Sequence, residues 1–486
     1  MPPLLFPAIN TQEREWLSRL KKARRIRRVG PRLYASLPEA KVAGAARGSW
    51  ATIVARLYPE TLVSHRTAFE FTPTADGEIW LTSSTNRVVS YPGLELRFVR
   101  GPGPLADDPR FLTIRSSSRS RAFLENLATT RPSSRTRAVP IGDLEQRLVQ
   151  ILDLEGEQAL NELRDRAREI AGELDWRREY RRLDGLIGAL LGTRTGHLTS
   201  EIGLARAAGE PFDPACLERL QILFGELRSR PLPVLTDASN TPDHVRNKAF
   251  FESYFSNYIE GTTFEIEEAE QIIFDRNIPA RRPKDAHDIL GTFRLVSDPS
   301  EMRTTPRDFD QLLQLLASRH RTLMAERAET EPGTFKDRPN RAGDTYFVEP
   351  GYVRGTLRKG MALYLDLPPG LARAIFVMFL VSDVHPFVDG NGRIARIMMN
   401  AELVSAGRPT IIVPTVYRDD YLQALRALTR RHRPDPLIAA LATAQRFSNL
   451  DFTSYPQVLQ ELQRRNWFRE PDEARILLEP LQGAAR

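Results

Sequence analysis

Lysine is nearly missing from this chain. Of 69 basic side chains, seven are Lys and 62 are Arg. Scarcity of this kind follows coding composition and marks no function. Cysteine is scarcer: Cys216 stands alone among 486 residues. One cysteine excludes an internal disulfide and any Cys-rich zinc site, and it points to a reducing compartment. Long apolar runs are also lacking. The longest, Ala374 to Val381, falls far short of the ~20 residues that a membrane-spanning helix needs. The start, Met1 to Asn10, holds Pro2, Pro3 and Pro7 and no Lys or Arg, so it lacks the basic and apolar regions of a secretory signal. Internal repeats and sustained heptads are missing too. These absences lead to the expectation of a cytoplasmic protein without a membrane partner.

What remains is ordinary for a packed, folded chain. Apolar residues make up 41% and charged residues 27%, enough for hydrophobic cores and too apolar for disorder as the main state. The length suggests about two to four domains. Pattern divides the chain into a basic segment over 1–40, an α/β region over 41–185 ending in helices, a helical connector over 186–235, a helical unit over 236–450 and a helical tail over 451–486.

Thr11 to Lys22 has helical spacing, with Thr11 as its expected cap. Arg24 to Val29 and Leu33 to Ala35 read as strands around a Gly30-Pro31 turn, which together resemble the ending of a winged helix. Leu62 to Phe71, Glu78 to Thr82, Arg87 to Tyr91 and Leu94 to Val99 read as further strands. Ser116 to Ser120 and Arg131 to Arg137 read as loops, and Asp143 to Tyr180 as a pair of charge-laced helices. Gly192 to Gly196, Ala207 to Pro214 and Arg230 to Pro233 are connecting segments. Helical periodicity dominates the third region: Asn247–Tyr258, Glu265–Phe274, Ala286–Val296, Thr305–Ala325, Gly370–Val384, Gly392–Ser405 and Asp419–Thr429. Extended pieces at 334–336 and 346–348 suggest a small hairpin on the bundle.

One segment carries chemistry: His385-Pro386-Phe387-Val388-Asp389-Gly390-Asn391-Gly392-Arg393-Ile394-Ala395-Arg396. Pro386 stops the preceding apolar helix and leaves His385 at its exit. Phe387 can pin the loop into the core. Gly390, Asn391 and Gly392 tolerate positive φ, so successive N–H groups can converge on an anion at the next helix's N-terminus. Arg393 and Arg396, three apart, project from the start of that helix and suit phosphates. Asp389 beside them suits Mg²⁺, which takes one or two carboxylates plus phosphate oxygens.

Every fixed position of that segment resembles the motif of the Fic family, His-Pro-Phe-x-Asp/Glu-Gly-Asn-Gly-Arg-x-x-Arg. The resemblance covers about residues 185–450 and implies a mainly α Fic helical bundle with a β-hairpin flap, so that 236–450 is the expected Fic domain. It further implies that His385 is the base for a target hydroxyl, that Asp389 binds Mg²⁺, and that Phe387, Gly390, Asn391, Gly392, Arg393, Arg396 and Tyr421 contact the nucleotide. The implied reaction is adenylylation, in which a Ser, Thr or Tyr hydroxyl attacks the α-phosphorus of ATP and pyrophosphate leaves. The motif specifies phosphate binding and leaves the nucleobase open. Ser256-Asn257-Tyr258-Ile259-Glu260-Gly261 resembles the family's inhibitory motif, which implies that Ser256, Glu260 and Gly261 restrain the enzyme through pairing of Glu260 with Arg396. The same residues also read as a plain helix C-terminus with glycine after it. Residues 334–350 resemble the family's target-docking flap, with Lys336 where Arg is common.

The remaining signal is basic. From Arg14 to Arg32 nine basic residues face a single Glu15. Lys21, Lys22, Arg24, Arg25, Arg27, Arg28 and Arg32 are the expected DNA-phosphate contacts. Trp16-Leu17, Arg25 to Ala35, Ala55 to Pro59 and Val63 to Ala68 resemble the antitoxin/regulator of the AbiE abortive-infection system, which pairs a winged helix with an α/β domain. His65 reads as structural. Two functions from different classes follow: a self-inhibited adenylyltransferase, or a DNA-binding regulator of antitoxin type whose Fic portion senses nucleotide. Removal of AMP at the same site, with Glu260 positioning water, is a third. A homodimer is compatible with all three.

Overall fold

The structure is a computed structural model that describes residues 3–8, 10–128, 137–194 and 197–470. The expected loop at 131–137 except Arg137, the end of the 192–196 turn, and the tail beyond 470 lie outside the described residues. The fold is mainly α, with twenty α-helices and small sheets among the described residues. It divides into two compact units, Met1–Gly209 and Glu210–Arg486.

The first unit opens with β1 (Leu4–Leu5), α1 (Thr11–Lys22), β2 (Arg27–Gly30) and β3 (Leu33–Ala35), whose strands form a sheet in the order β1-β3-β2. The helix has the expected bounds, but Asn10 caps it, accepting from the Glu13 N–H at 2.8 Å. Asn10 is extended and outside the helix, as a capping residue must be; Thr11 is already helical. Then come α2 (Glu39–Gly48), α3 (Trp50–Leu57), β4 (Leu62–Val63), α4 (His65–Glu70), β5 (Glu78–Ser83), β6 (Arg87–Tyr91), β7 (Leu94–Arg100), β8 (Arg110–Phe111), β9 (Ile114–Ser116) and α5 (Arg119–Leu127). Six of these strands build one sheet in the order β6-β7-β5-β4-β9-β8. Strand β7 alternates buried and half-buried residues, the signature of a sheet with one covered face.

The strand expected over Leu62–Phe71 is wrong after Val63. The chain turns into α4 because the partner group is satisfied differently: the Trp80 N–H of β5 donates to the Thr67 hydroxyl at 2.8 Å. His65 is structural, as read. Its backbone N–H donates to the buried Glu125 carboxylate, and its ring bridges Ser64 and Arg137. Helices α6 (Ile141–Leu174), broken at Gly156, α7 (Arg177–Leu190) and α8 (Glu201–Ala207) complete the unit.

The second unit is helical: α9 (Pro214–Ser229), α10 (Pro242–Ile259), α11 (Ile266–Phe274), α12 (Pro283–Val296), α13 (Pro299–Met302), α14 (Phe309–Leu323), a hairpin of β10 (Arg341–Ala342) and β11 (Thr345–Tyr346), α15 (Val353–Leu365), α16 (Leu371–Val384), α17 (Asn391–Ser405), α18 (Arg418–Arg431), α19 (Asp435–Ser448) and α20 (Tyr455–Arg464). Helix α16 is apolar on all sides and therefore central: every residue from Ala374 to Val381 is at most 1% exposed. It packs antiparallel to α17 through the short loop that holds the motif. Helix α10 brings a second, aromatic core around Phe250, Phe251 and Phe255. Helix α14 starts at Phe309, later than the expected Thr305, because Asp308 caps it by accepting the Gln311 N–H. The hairpin strands follow the extended piece expected at 334–336 and meet the one expected at 346–348 only at Tyr346, with Gly343 in the turn at φ +57°. Among the described residues no helix is long and apolar enough to cross a membrane.

Candidate active site

The site is built at the α16–α17 turn. His385 ends α16 in the left-handed region at φ +54°, which swings the chain out of the helix. Its Nδ1 lies 3.1 Å from the Ser382 carbonyl oxygen. A carbonyl only accepts, so Nδ1 carries the proton and Nε2 is left with its lone pair. Burial lowers the His385 pKa to about 4, with the Ser382 contact opposing and Lys336 adding to the fall. The imidazole is therefore neutral at physiological pH, the form that a base requires.

The loop after it is locked by three side chains and one backbone N–H. Asn391 accepts the Phe387 N–H and donates to the Phe387 carbonyl, both at 2.8 Å. Asn340 of the flap donates to the same carbonyl at 2.8 Å, and the Lys336 N–H donates to the Pro386 carbonyl at 2.9 Å. The Phe387 ring is fully enclosed and stacks on His320, centroids 3.8 Å apart and planes 3° from parallel. His320 accepts the Gly333 N–H at Nδ1, so its Nε2 donates to the Asp389 carbonyl at 3.1 Å. Burial lowers its pKa to about 4 and keeps it neutral. His320 thus braces the turn.

Gly390 caps α17 at φ +75° and Gly392 lies in its first turn. The first N–H groups of a helix have no partner within it and favour an anion. A Cβ on Gly392 would collide with Glu260 Oε1. A carboxylate already rests where an anion would. Glu260 closes α10 and also pairs with Arg396, Oε1 to Nη2 at 2.7 Å. Ser256 adds its hydroxyl, accepting from Arg396 Nε at 3.0 Å, and its carbonyl, accepting from Nη2 at 2.8 Å. Burial pushes the Glu260 carboxyl upward, yet Arg396 overrides this and holds it below the ordinary carboxylate range. Gly261 follows at φ +90° with its N–H on the Tyr258 carbonyl. The helix-end reading and the pairing with Arg396 therefore coexist in the same residues.

Arg393 is buried and pairs with Asp288 of α12 at 2.7 Å. Asn257 accepts a further hydrogen bond from it at 3.3 Å, and Arg327 grips Asp288 from the other side at 2.9 Å. Arg393 Nε is buried without a partner, so the guanidinium keeps an unused donor in the site. Tyr421 is buried against Arg396, with its hydroxyl 3.4 Å from Met378 Sδ. Asp389 is exposed, one oxygen accepting the Gly390 N–H at 2.7 Å. One such carboxylate fits Mg²⁺ held mainly by phosphate oxygens. Among the described residues there is no cluster of three acidic, His or Cys side chains that would hold a metal without a nucleotide.

The turn therefore gathers His385, Phe387, Asp389, Gly390, Asn391, Gly392, Arg393 and Arg396, and the neighbouring helices bring Ser256, Glu260, Gly261 and Tyr421. Asn340 is legible in sequence only as a flap residue, and no sequence signal marks His320, Asp288 or Phe347 for the site; these come from distant helices and the flap. The basic residues Lys21, Lys22, Arg24, Arg25, Arg27, Arg28 and Arg32 lie in the first unit and are all exposed. Lys21 bonds the Tyr34 hydroxyl at 2.9 Å and Arg27 pairs with Glu39 at 2.9 Å.

Comparison with known proteins bears on this geometry. Residues 309–403 match the Fic/DOC family. Curated relatives called "Protein adenylyltransferase Fic" include those of Drosophila persimilis, 26% identical over 43% of this chain and 41% of that protein, and Nematostella vectensis, 25% identical over 37% and 43%. The chain spans about two-fifths of the length of these relatives. Among solved structures, Fic-1 (aa134–508) from C. elegans is 17% identical with a TM-score of 0.37, covering 66% of this chain and 98% of that one. A Fic domain containing signaling protein from Bacteroides thetaiotaomicron is 19% identical with a TM-score of 0.37, covering 48% and 94%. From the first residue of α14 to near the end of α17, the chain carries a Fic domain.

Proposed function

We propose that the protein is a protein adenylyltransferase that moves AMP from ATP to a hydroxyl of a target protein or of itself, restrained by Glu260. The observation that carries this reading is the free Nε2 of a neutral His385 beside an anion-accepting helix start with two buried arginines. The target hydroxyl oxygen attacks the α-phosphorus as His385 Nε2 takes its proton. A new oxygen–phosphorus bond forms, the bond to the bridging oxygen breaks, and pyrophosphate leaves with that oxygen. Arg393 and Arg396 bind and orient the β- and γ-phosphates, and the start of α17 receives the α/β-phosphates. Mg²⁺, when bound at Asp389, would neutralise phosphate charge during the transfer. The flap over 334–350 is the proposed dock for the target segment, by strand addition at its edge.

Restraint follows from charge. With Glu260 on Arg396, the γ-phosphate meets a carboxylate where it needs a guanidinium, and ATP is held in an unproductive pose. The names of the adenylyltransferase relatives support the reaction class. ATP labelled at the α-phosphate tests it. Label should reach protein in wild type at a low level, γ-label should not, and His385→Ala should abolish transfer. Transfer that persists without His385 contradicts the base assignment.

A second reading rests on a different observation, the exposed basic set from Lys21 to Arg32. We propose that this face contacts DNA phosphates. Gel shifts should weaken steeply with salt, and neutralising Arg24, Arg25 and Arg28 together should flatten the slope by about 3, one per lost phosphate contact. An unchanged slope contradicts it.

A further inference from the structure

The flap does more than cover the site. Phe347, just after β11, lies face to face with the imidazole of His385: the ring centroids are 3.6 Å apart and the planes differ by 4°. We propose that Phe347 is a positioning residue for the base, so that the flap which receives the target also aims His385. This inference rests on the adenylyltransferase reading of the site.

Two contacts fix an imidazole on this loop. The Ser382 carbonyl holds Nδ1–H at 3.1 Å and stops the ring from flipping. That single contact leaves rotation about the Nδ1–oxygen direction. A parallel aromatic face removes it, because tilting the ring would drive its edge into the phenyl. Stacking covers one face only. Nε2 points along the ring plane, so the target hydroxyl approaches by the edge that both contacts leave open.

Phe347 is itself held. Its N–H donates to the Asn340 carbonyl at 3.3 Å, and the adjacent Val348 is buried in the core at 1% exposure. The hairpin is tied to α18 by Arg430, which donates to the Thr345 hydroxyl at 2.8 Å. At the flap's other end the Lys336 ammonium donates to Asn340 at 2.7 Å. The phenyl is thus fixed to the same strap as the Lys336 and Asn340 contacts to the His385 loop. Any change in flap position moves the stack. When His385 accepts the hydroxyl proton, the resulting imidazolium lies over the phenyl face, an attraction that a neutral ring does not receive to the same degree. Aromaticity at 347 then matters beyond bulk.

The test uses the whole 486-residue chain in a Glu260→Gly background, with Phe347→Ala, Phe347→Leu and Phe347→Tyr. Phe347 is half-buried, and thermal melts check that each variant folds. Misaiming a reacting group by about 1 Å costs up to about a hundredfold in rate. We expect kcat for self-labelling to fall about tenfold to a hundredfold in the Ala and Leu variants, with KM for ATP changed less than about twofold. Phe347→Tyr should keep most of the activity. Unchanged kcat in Phe347→Ala overturns the proposal, as does a Leu variant equal to the parent. A rise in KM for ATP at unchanged kcat also overturns it, leaving nucleotide binding as the residue's role. A second readout does not need activity: the ε1 carbon–proton signal of His385, displaced by the phenyl ring current, should move in Phe347→Ala and not in Phe347→Tyr. An unmoved signal sinks the stack. A Glu260→Gly parent that fails to label while this signal responds would instead count against the adenylyltransferase reading.

Discussion

Arg396 is held by three oxygens of α10: the Glu260 carboxylate, the Ser256 hydroxyl and the Ser256 carbonyl. Two of these leave the guanidinium available for phosphate. The carboxylate alone competes with it. A hydrogen bond to a charged group contributes about 1.5–3 kcal/mol. Glu260 is one-third exposed, so solvent screening places the proposed restraint nearer the lower end, about tenfold in rate. Asp288 sits differently. It is 2% exposed and lies between Arg327 and Arg393. Asp288→Asn should destabilise the protein by about 3–5 kcal/mol, because a buried guanidinium loses its counter-charge; urea unfolding measures it, and a loss below 1 kcal/mol would contradict the pairing. His385 carries its own pH signature. Its pKa, lowered to about 4 by burial, predicts labelling that stays flat from pH 8 to about 5.5 and falls only below. A fall centred near 6.5 would mean an ordinary imidazole. The residues of 385–396 were legible in sequence as one group because the motif is contiguous. Asp288, His320 and Phe347 were not legible, since their relation to the loop exists only once α12, α14 and the flap fold against it.

Among the elements, α16 and α17 carry the site because one is apolar and buried over 374–381 and the other is capped by Gly390 in the left-handed region. Helix α16 sits in the core on all sides, so any truncation leaves a cavity. Ile375→Ala should cost about 2–5 kcal/mol in urea unfolding; a cost under 1 kcal/mol would mean the helix is not central. The flap is tied by side chains more than by strand pairing, since β10 and β11 contribute two residues each. Asn340→Ala removes a contact to the Phe387 carbonyl and one to Lys336. Amide exchange at Lys336 and Phe347 should then quicken while α16 stays protected. Helical periodicity found most elements of the bundle within a few residues. It missed α15, whose sequence carries Gly355 and Gly360, and α19, which opens on Asp435-Pro436. It also read α4 as strand, since alternation over a short stretch cannot foresee that Thr67 takes the place of a strand neighbour for Trp80.

For the whole molecule, the two compact units differ in character: an exposed basic set lies in one and the Fic domain in the other. Composition gave neither, because +7 over 486 residues hides a local excess. The buried histidines of the second unit set a pH limit on its stability. His320 and His385 both have pKa values lowered to about 4 by burial. Unfolded, each takes a proton near pH 6.5, so the unfolded state binds more protons between those values. Stability is fully present above pH 6.5 and is lost as pH falls through 4. The melting temperature should drop steadily from pH 6.5 to 4, and a flat profile would contradict the burial of both rings. Cys216, the lone cysteine, is fully buried, and burial pushes its thiol pKa up. It is therefore an inert core residue.

The central claim is that one carboxylate restrains one transfer reaction. Its most direct measurement is protein labelling from α-labelled ATP with Mg²⁺, compared for wild type, Glu260→Gly, and Glu260→Gly with His385→Ala. Labelling should rise about tenfold or more on removal of the carboxylate, following the strength of a charged hydrogen bond, and vanish when the histidine is also removed. Equal labelling in wild type and Glu260→Gly, or label that survives the double change, would contradict the account.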